Sequence, residues 1–239
     1  MTIREPRRVL LGLGMEPDMR HAIEAAVNFA SAAKSGLLCL LVEQQNLLNY
    51  AGLPFAKAYG PGGFASTLTP QGIELHFNRL ARTAEKALAE SCARTNVNWQ
   101  MTRPQGETLE ELSLVLEQGD VVVINLRNLL EAGKGLLGAA RLFLDTAAAV
   151  VVPASAARPG GPVIAVGDGP GTQQAAAIAR GIGQATGTRI EIVDALGFLH
   201  LQNHASIVVA PLGIVETMGE AEFLRHITRT GATAVLVSE

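Results

Sequence analysis

Two glycine-rich strings carry the residue types best suited to holding an anion. Gly133-Lys134-Gly135-Leu136-Leu137-Gly138 spells G-x-G-x-x-G ahead of a helical segment. Glycines let a backbone approach phosphate oxygens, and a helix N-terminus supplies N–H donors to them. A dinucleotide fingerprint follows its strand at once, whereas here a further stretch separates Ile124 from Gly133. The competing reading is a flexible glycine loop feeding a helix, with Lys134 offering a point charge to an anion. The second string is Gly167-Asp168-Gly169-Pro170-Gly171-Thr172. It reads either as a ligand turn at the carboxyl end of a strand or as a tight turn with Thr172 capping a helix.

Other chemistry is thin. His21, His76, His200, His204 and His226 are scattered, and none forms a metal-binding pair on a helix. No serine lies in a G-x-S-x-G elbow. Cys39 and Cys92 sit in apolar segments without a basic neighbour, the pattern of buried thiols in a reducing compartment. The expectation is a protein that is not an enzyme and holds no metal. A net charge of −3 gives no electrostatic reason to expect nucleic acid or an anionic membrane. Arg4, Arg7 and Arg8 read as a short solvated arm. No signal-peptide pattern or spanning segment is visible, so the expected location is cytoplasmic.

The elements around these strings alternate strand and helix. Residues 9–13 read as a buried strand, followed by a helix capped by Asp18 and a second strand at 37–42. Helical spacing predicts a long helix over 71–94, with Ile73, Phe77, Leu80, Ala84, Leu88 and Cys92 on one face. An edge strand at 97–101, a helix over 107–118, a strand at 121–124, a helix over 139–146 and a strand at 149–152 follow. Residues 153–162 read as a linker. Strands at 163–166, 190–193, 206–210 and 234–237 with helices over 173–184 and 219–229 then echo the opening order. With 48% hydrophobic but only 4% aromatic residues, the core must be aliphatic, as suits parallel strands under Ala-rich helices.

The segment 43–70 breaks that rhythm. Gln44, Gln45 and Asn46 precede Leu47, Leu48, Tyr50, Leu53 and Phe55. One reading is a short helix covering the core with Leu47, Leu48 and Phe55. The other is an apolar lid or partner surface, with Gln44, Gln45, Asn46, Tyr50 and Phe55 as its binding residues.

Across residues 7–156 the order and spacing resemble the universal stress protein family. The carrying residues are the opening strand and turn at 9–16, Leu41-Val42-Glu43, Gln105-Gly106-Glu107, Gly119-Asp120-Val121-Val122-Val123 and Val150-Val151-Val152-Pro153. Residues 160–239 resemble a shortened copy, which makes the chain a tandem member. The resemblance implies two three-layer α/β/α units with parallel sheets, the first with strand order 3-2-1-4-5. It also implies packing, or self-association, through the fifth strands. ATP-binding members have two glycines three apart, then nine residues, then Gly-Ser or Gly-Thr. Here Asn125 and Asn128 stand at the glycine positions and Gly138-Ala139 at the last, while the acidic residue after the first strand aligns with Gly14. Asp168 matches that acidic position only with a one-residue shift. The implied site is Gly14, Val42, Asn125, Asn128 and Gly138 in the first unit, and Gly167, Asp168, Gly169 and Thr172 in the second. The expected function is a binding or regulatory module with a degraded nucleotide site, acting through protein contacts or a small ligand. The alternative is a protein binding ATP or AMP, or a weak ATPase, through either glycine string.

Overall fold

The computed structural model describes residues 7–14, 19–59, 65–131, 133–154, 160–167, 171–201 and 205–238. The first half contains β1 (Arg8–Leu13), α1 (Arg20–Ala32), β2 (Gly36–Leu41), α2 (Gln45–Ala51), β3 (Lys57–Tyr59), β4 (Ala65–Thr67) and α3 (Pro70–Thr95). It continues with β5 (Trp99–Thr102), α4 (Thr108–Val115), β6 (Val121–Ile124), α5 (Leu126–Glu131), α6 (Leu136–Phe143) and β7 (Ala149–Val152). The second half contains β8 (Val163–Val166), α7 (Thr172–Thr186), β9 (Ile190–Val193), α8 (Ala195–His200), β10 (Ile207–Pro211), α9 (Leu212–Met218), α10 (Glu220–Thr230) and β11 (Thr233–Val237).

Nine strands form one sheet in the order β5-β2-β1-β6-β7-β11-β10-β8-β9. Neighbours run parallel except at the centre, where β7 and β11 pair antiparallel with Val151 opposite Val235. The run β9-β8-β10-β11 repeats β2-β1-β6-β7 and, among the described residues, has no counterpart of β5. This corrects the expectation of a separate second sheet beginning at residue 163. β7 is buried along its whole length, and β11 over all but its first residue. Pairing them satisfies backbone groups that would otherwise be stranded in apolar surroundings. The halves thus meet through their last strands within one chain. Both edges of β7 and of β11 are occupied. Between copies these strands therefore offer no free edge for pairing.

Two apolar layers sandwich the sheet, and each draws residues from both halves. Helices α1, α3 and α7 cover one face; α4, α6, α8 and α10 cover the other. Helix α3 buries Ile73, Phe77, Leu80, Ala84, Leu88 and Cys92, the six positions predicted from spacing. Thr69 caps it by accepting the Gly72 N–H at 3.1 Å, Pro70 occupies the first turn, and left-handed Asn96 ends it. Gly12 lets α4 approach β1, because a Cβ there would collide with the Leu112 side chain.

Segment 43–70 contains α2 and the β3–β4 hairpin. Leu47 and Leu48 pack with Ala51, Ile73 and Phe77 in a satellite cluster. Phe55 does not cover the core: it lies beyond the end of seven-residue α2 and is 68% exposed. Arg8 is not a solvated arm residue, since its Nε donates to buried Asp120 at 3.0 Å. Arg4 and the expected cap Asp18 lie outside the described residues. Among the described residues no helix is long and apolar enough to cross a membrane.

Candidate functional site

Open α/β sheets place ligands beyond the carboxyl ends of their strands. Parallel register brings Gly14, Val42 and Asn125 there together, at the ends of adjacent β1, β2 and β6. The Val42 N–H donates to the Leu13 carbonyl at 2.9 Å, which fixes how far β2 extends beside β1. Glu43 continues the ladder, bonding Pro104 and Gly106 through its backbone. Its carboxylate accepts from Arg103 Nε at 2.8 Å, and Arg103 also donates to Asn78. Asn46 reaches Glu107 at 2.8 Å, and Gln45 donates to Asn49. The start of the loop after β2 is therefore tied to the loop after β5. Gln44 sits at the N-cap of α2 without a side-chain cap bond, and Tyr50 is 43% exposed.

The stretch after β6 differs from a phosphate loop. Asn125 Oδ1 accepts the Arg127 N–H at 3.2 Å and its carbonyl accepts from Asn128, so the chain turns at once into α5. Asparagine could have supplied a left-handed turn, but among the described non-glycine residues only Lys34 and Asn96 have positive φ. Asn128 is instead turned inward, 4% exposed, and its Nδ2 is buried without a hydrogen-bond partner. A glycine at this position would leave open the space that this side chain fills.

Helix α6 begins two residues before Gly138, which is exposed in its first turn between buried Leu136 and Ala139. Two of its N-terminal donors are already engaged. The Leu136 N–H donates to Glu220 Oε1 at 2.6 Å and the Leu137 N–H to Glu220 Oε2 at 3.2 Å. Glu220 opens α10 in the second half and carries its carboxylate to a helix end that favours negative charge. Gly135 makes this possible, because a Cβ there would strike that carboxylate. Gly133 adopts φ +64° where α5 ends. Two glycines of the 133–138 string thus serve a turn and an internal carboxylate. Arg141 clamps the same junction through Glu216, at 3.0 and 2.7 Å. Sequence reasoning missed Glu220, since a lone glutamate 84 positions from Leu136 gives no local signal.

The second candidate set lies elsewhere. The antiparallel β7–β11 seam sends the carboxyl ends of the second half to the opposite end of the sheet. Gly167 and Thr172 therefore do not meet Asn125 or Gly138. Gly167 is bonded to the Val193 carbonyl at 2.9 Å, and a Cβ on it would strike the Thr172 side chain. Asp168 and Gly169 lie outside the described residues. Burial pushes the Cys39 and Cys92 thiols up, away from the thiolate a nucleophile requires. Among the described residues no cluster of His, Cys, Asp or Glu could hold a metal.

No protein-family model and no curated protein matches this sequence. Solved structures do resemble it. A universal stress protein from Archaeoglobus fulgidus DSM 4304 superposes with a TM-score of 0.62 at 11% identity, covering 100% of this chain and 98% of that one. A functionally unknown protein from Pseudomonas aeruginosa PAO1 superposes at 0.55, also at 11% identity, covering 98% and 93%. The chain therefore has the fold of a universal stress protein, and the resemblance read from its sequence holds at that level.

Proposed function

We propose that this chain is a binding or regulatory module of the universal stress protein type whose first-half nucleotide position no longer takes ATP. In this reading a full unit, residues 1–156, and a shortened one, 160–239, share one sheet and work in the cytoplasm. Function runs through protein contacts or a small ligand other than ATP, with Gln44, Gln45, Asn46, Tyr50 and Phe55 as the contact residues. The observation that carries the reading is the Glu220 carboxylate on the Leu136 and Leu137 N–H groups. A phosphate would have to displace a covalently tethered anion from those donors. Each charge-assisted hydrogen bond so denied is worth about 1.5–3 kcal/mol, or roughly tenfold or more in affinity.

Calorimetric titration with ATP and AMP tests this, alongside mass spectrometry of small molecules released from natively purified protein. The expected result is no measurable nucleotide heat and no co-purified nucleotide. Micromolar ATP affinity abolished by Asn128→Asp, or AMP recovered from the purified protein, would overturn it.

A further inference from the structure

We propose that the open edge of β9 is a self-association surface, on which β9 of a second copy of this chain pairs antiparallel with Ile190 facing Ile190. The sheet has two edges, β5 and β9, because every other strand is paired on both sides. They differ in what they present. On β5, part-buried Trp99 and Met101 alternate with exposed Gln100 and Thr102, and the following Arg103 is held by Glu43 and Asn78. On β9, Ile192 is 50% exposed, and Leu196 in the adjoining α8 is 67% exposed. The strand carries no proline, lysine or bulge, three of the devices that keep an edge from pairing.

The repeat within the chain shows what is missing. β2, the counterpart of β9, is covered on its outer side by β5, whose Trp99 and Met101 pack against the same apolar layer as Ile190. Among the described residues the second half supplies no such strand. A second copy can, and the charges select the register. Arg189 and Glu191 lie on one face of the strand, paired at 3.3 Å with side chains 82% and 31% exposed. Antiparallel pairing about Ile190 sets Arg189 opposite Glu191 of the second copy, twice across the two-fold axis, and Ile192 opposite Thr188. Cross-strand opposite charges stabilise such a ladder and like charges oppose it. Pairing about Glu191 would face two carboxylates, so that register is disfavoured. The interface is isologous and closes as a dimer rather than growing into a filament. This inference is independent of whether the first half binds a nucleotide.

Sedimentation velocity over a concentration series tests it on the full chain, with Arg189→Glu, Glu191→Arg and the double reversal. Wild type is expected to dimerise. Each single reversal places like charges opposite each other at both ends and should weaken the dimer about tenfold. The double reversal restores opposite charges in the same register and should recover the dimer. Circular dichroism matching wild type confirms that these surface variants fold. A wild type that stays monomeric throughout the series, single reversals that leave dimerisation unchanged, or a double reversal that fails to recover it would each overturn the proposal.

Discussion

Glu220 closes over Gly135: its carboxylate occupies the space where a side chain at 135 would begin and bonds the next two backbone N–H groups. The contact joins α6 of the first half to α10 of the second, and Arg141 with Glu216 reinforces it nearby.

Glu220→Ala should lower unfolding free energy by about 1–3 kcal/mol, the loss of a charged cap on two helix donors. Glu220→Gln keeps an acceptor but not the charge, and should fall between the two. Gly135→Ala should destabilise because its Cβ would lie 2.6 Å from Glu220 Oε2. That cost should shrink in the Glu220→Ala background, where the colliding group is gone. A double-mutant cycle in urea measures the coupling, and strictly additive costs would show that the two positions do not interact.

The loop after β2 offers a separate comparison. Leu48 packs in the satellite cluster with Ala51, Ile73 and Phe77. Leu48→Ala should therefore destabilise by about 1–3 kcal/mol, toward the low end of the range for a fully buried leucine because Leu48 is only half-buried. Phe55, 68% exposed, and Tyr50, 43% exposed, should tolerate alanine with changes within about 0.5 kcal/mol. If Tyr50 and Phe55 serve binding, those same variants lose partner or ligand capture at unchanged melting temperature. Loss of stability in step with loss of capture would make the loop structural.

What could be read from the sequence follows the range of the interactions involved. The buried face of α3 was legible because six apolar residues repeat at helical spacing, a signal contained within one element. The short valine-rich apolar runs of β6, β7 and β8 announced buried strands in the same way. Helix α5 was not legible, because six residues carry too little periodicity and Asn125 reads equally well as a turn. The single continuous sheet depends on β7 meeting β11, a contact that neither strand encodes alone. Glu220 is harder still. One polar residue satisfies donors in another half of the chain, and only the fold brings them together.

His226 provides a pH-dependent handle on the second half. It is 5% exposed on α10, its ring centroid 4.3 Å from that of Phe198. Arg229 Nη2 donates to its Nδ1 at 2.8 Å, so the neutral ring carries its proton on Nε2, which is buried without a partner. Burial, with the Arg229 guanidinium adding to it, lowers the His226 pKa below the ordinary value, and Glu222 offsets only part of this. In the unfolded chain the residue titrates near its ordinary value of about 6.5. Below that pH the unfolded state binds the proton more readily than the folded state does. Stability is therefore retained above pH about 6.5 and falls as the pH drops below it, levelling off once the folded state also protonates. His226→Gln keeps an acceptor for Arg229 and cannot titrate, so it should remove this component of the slope. Urea unfolding of both proteins between neutral and mildly acidic pH provides the measurement. Parallel profiles for wild type and His226→Gln would show that the buried imidazole does not govern acid stability here.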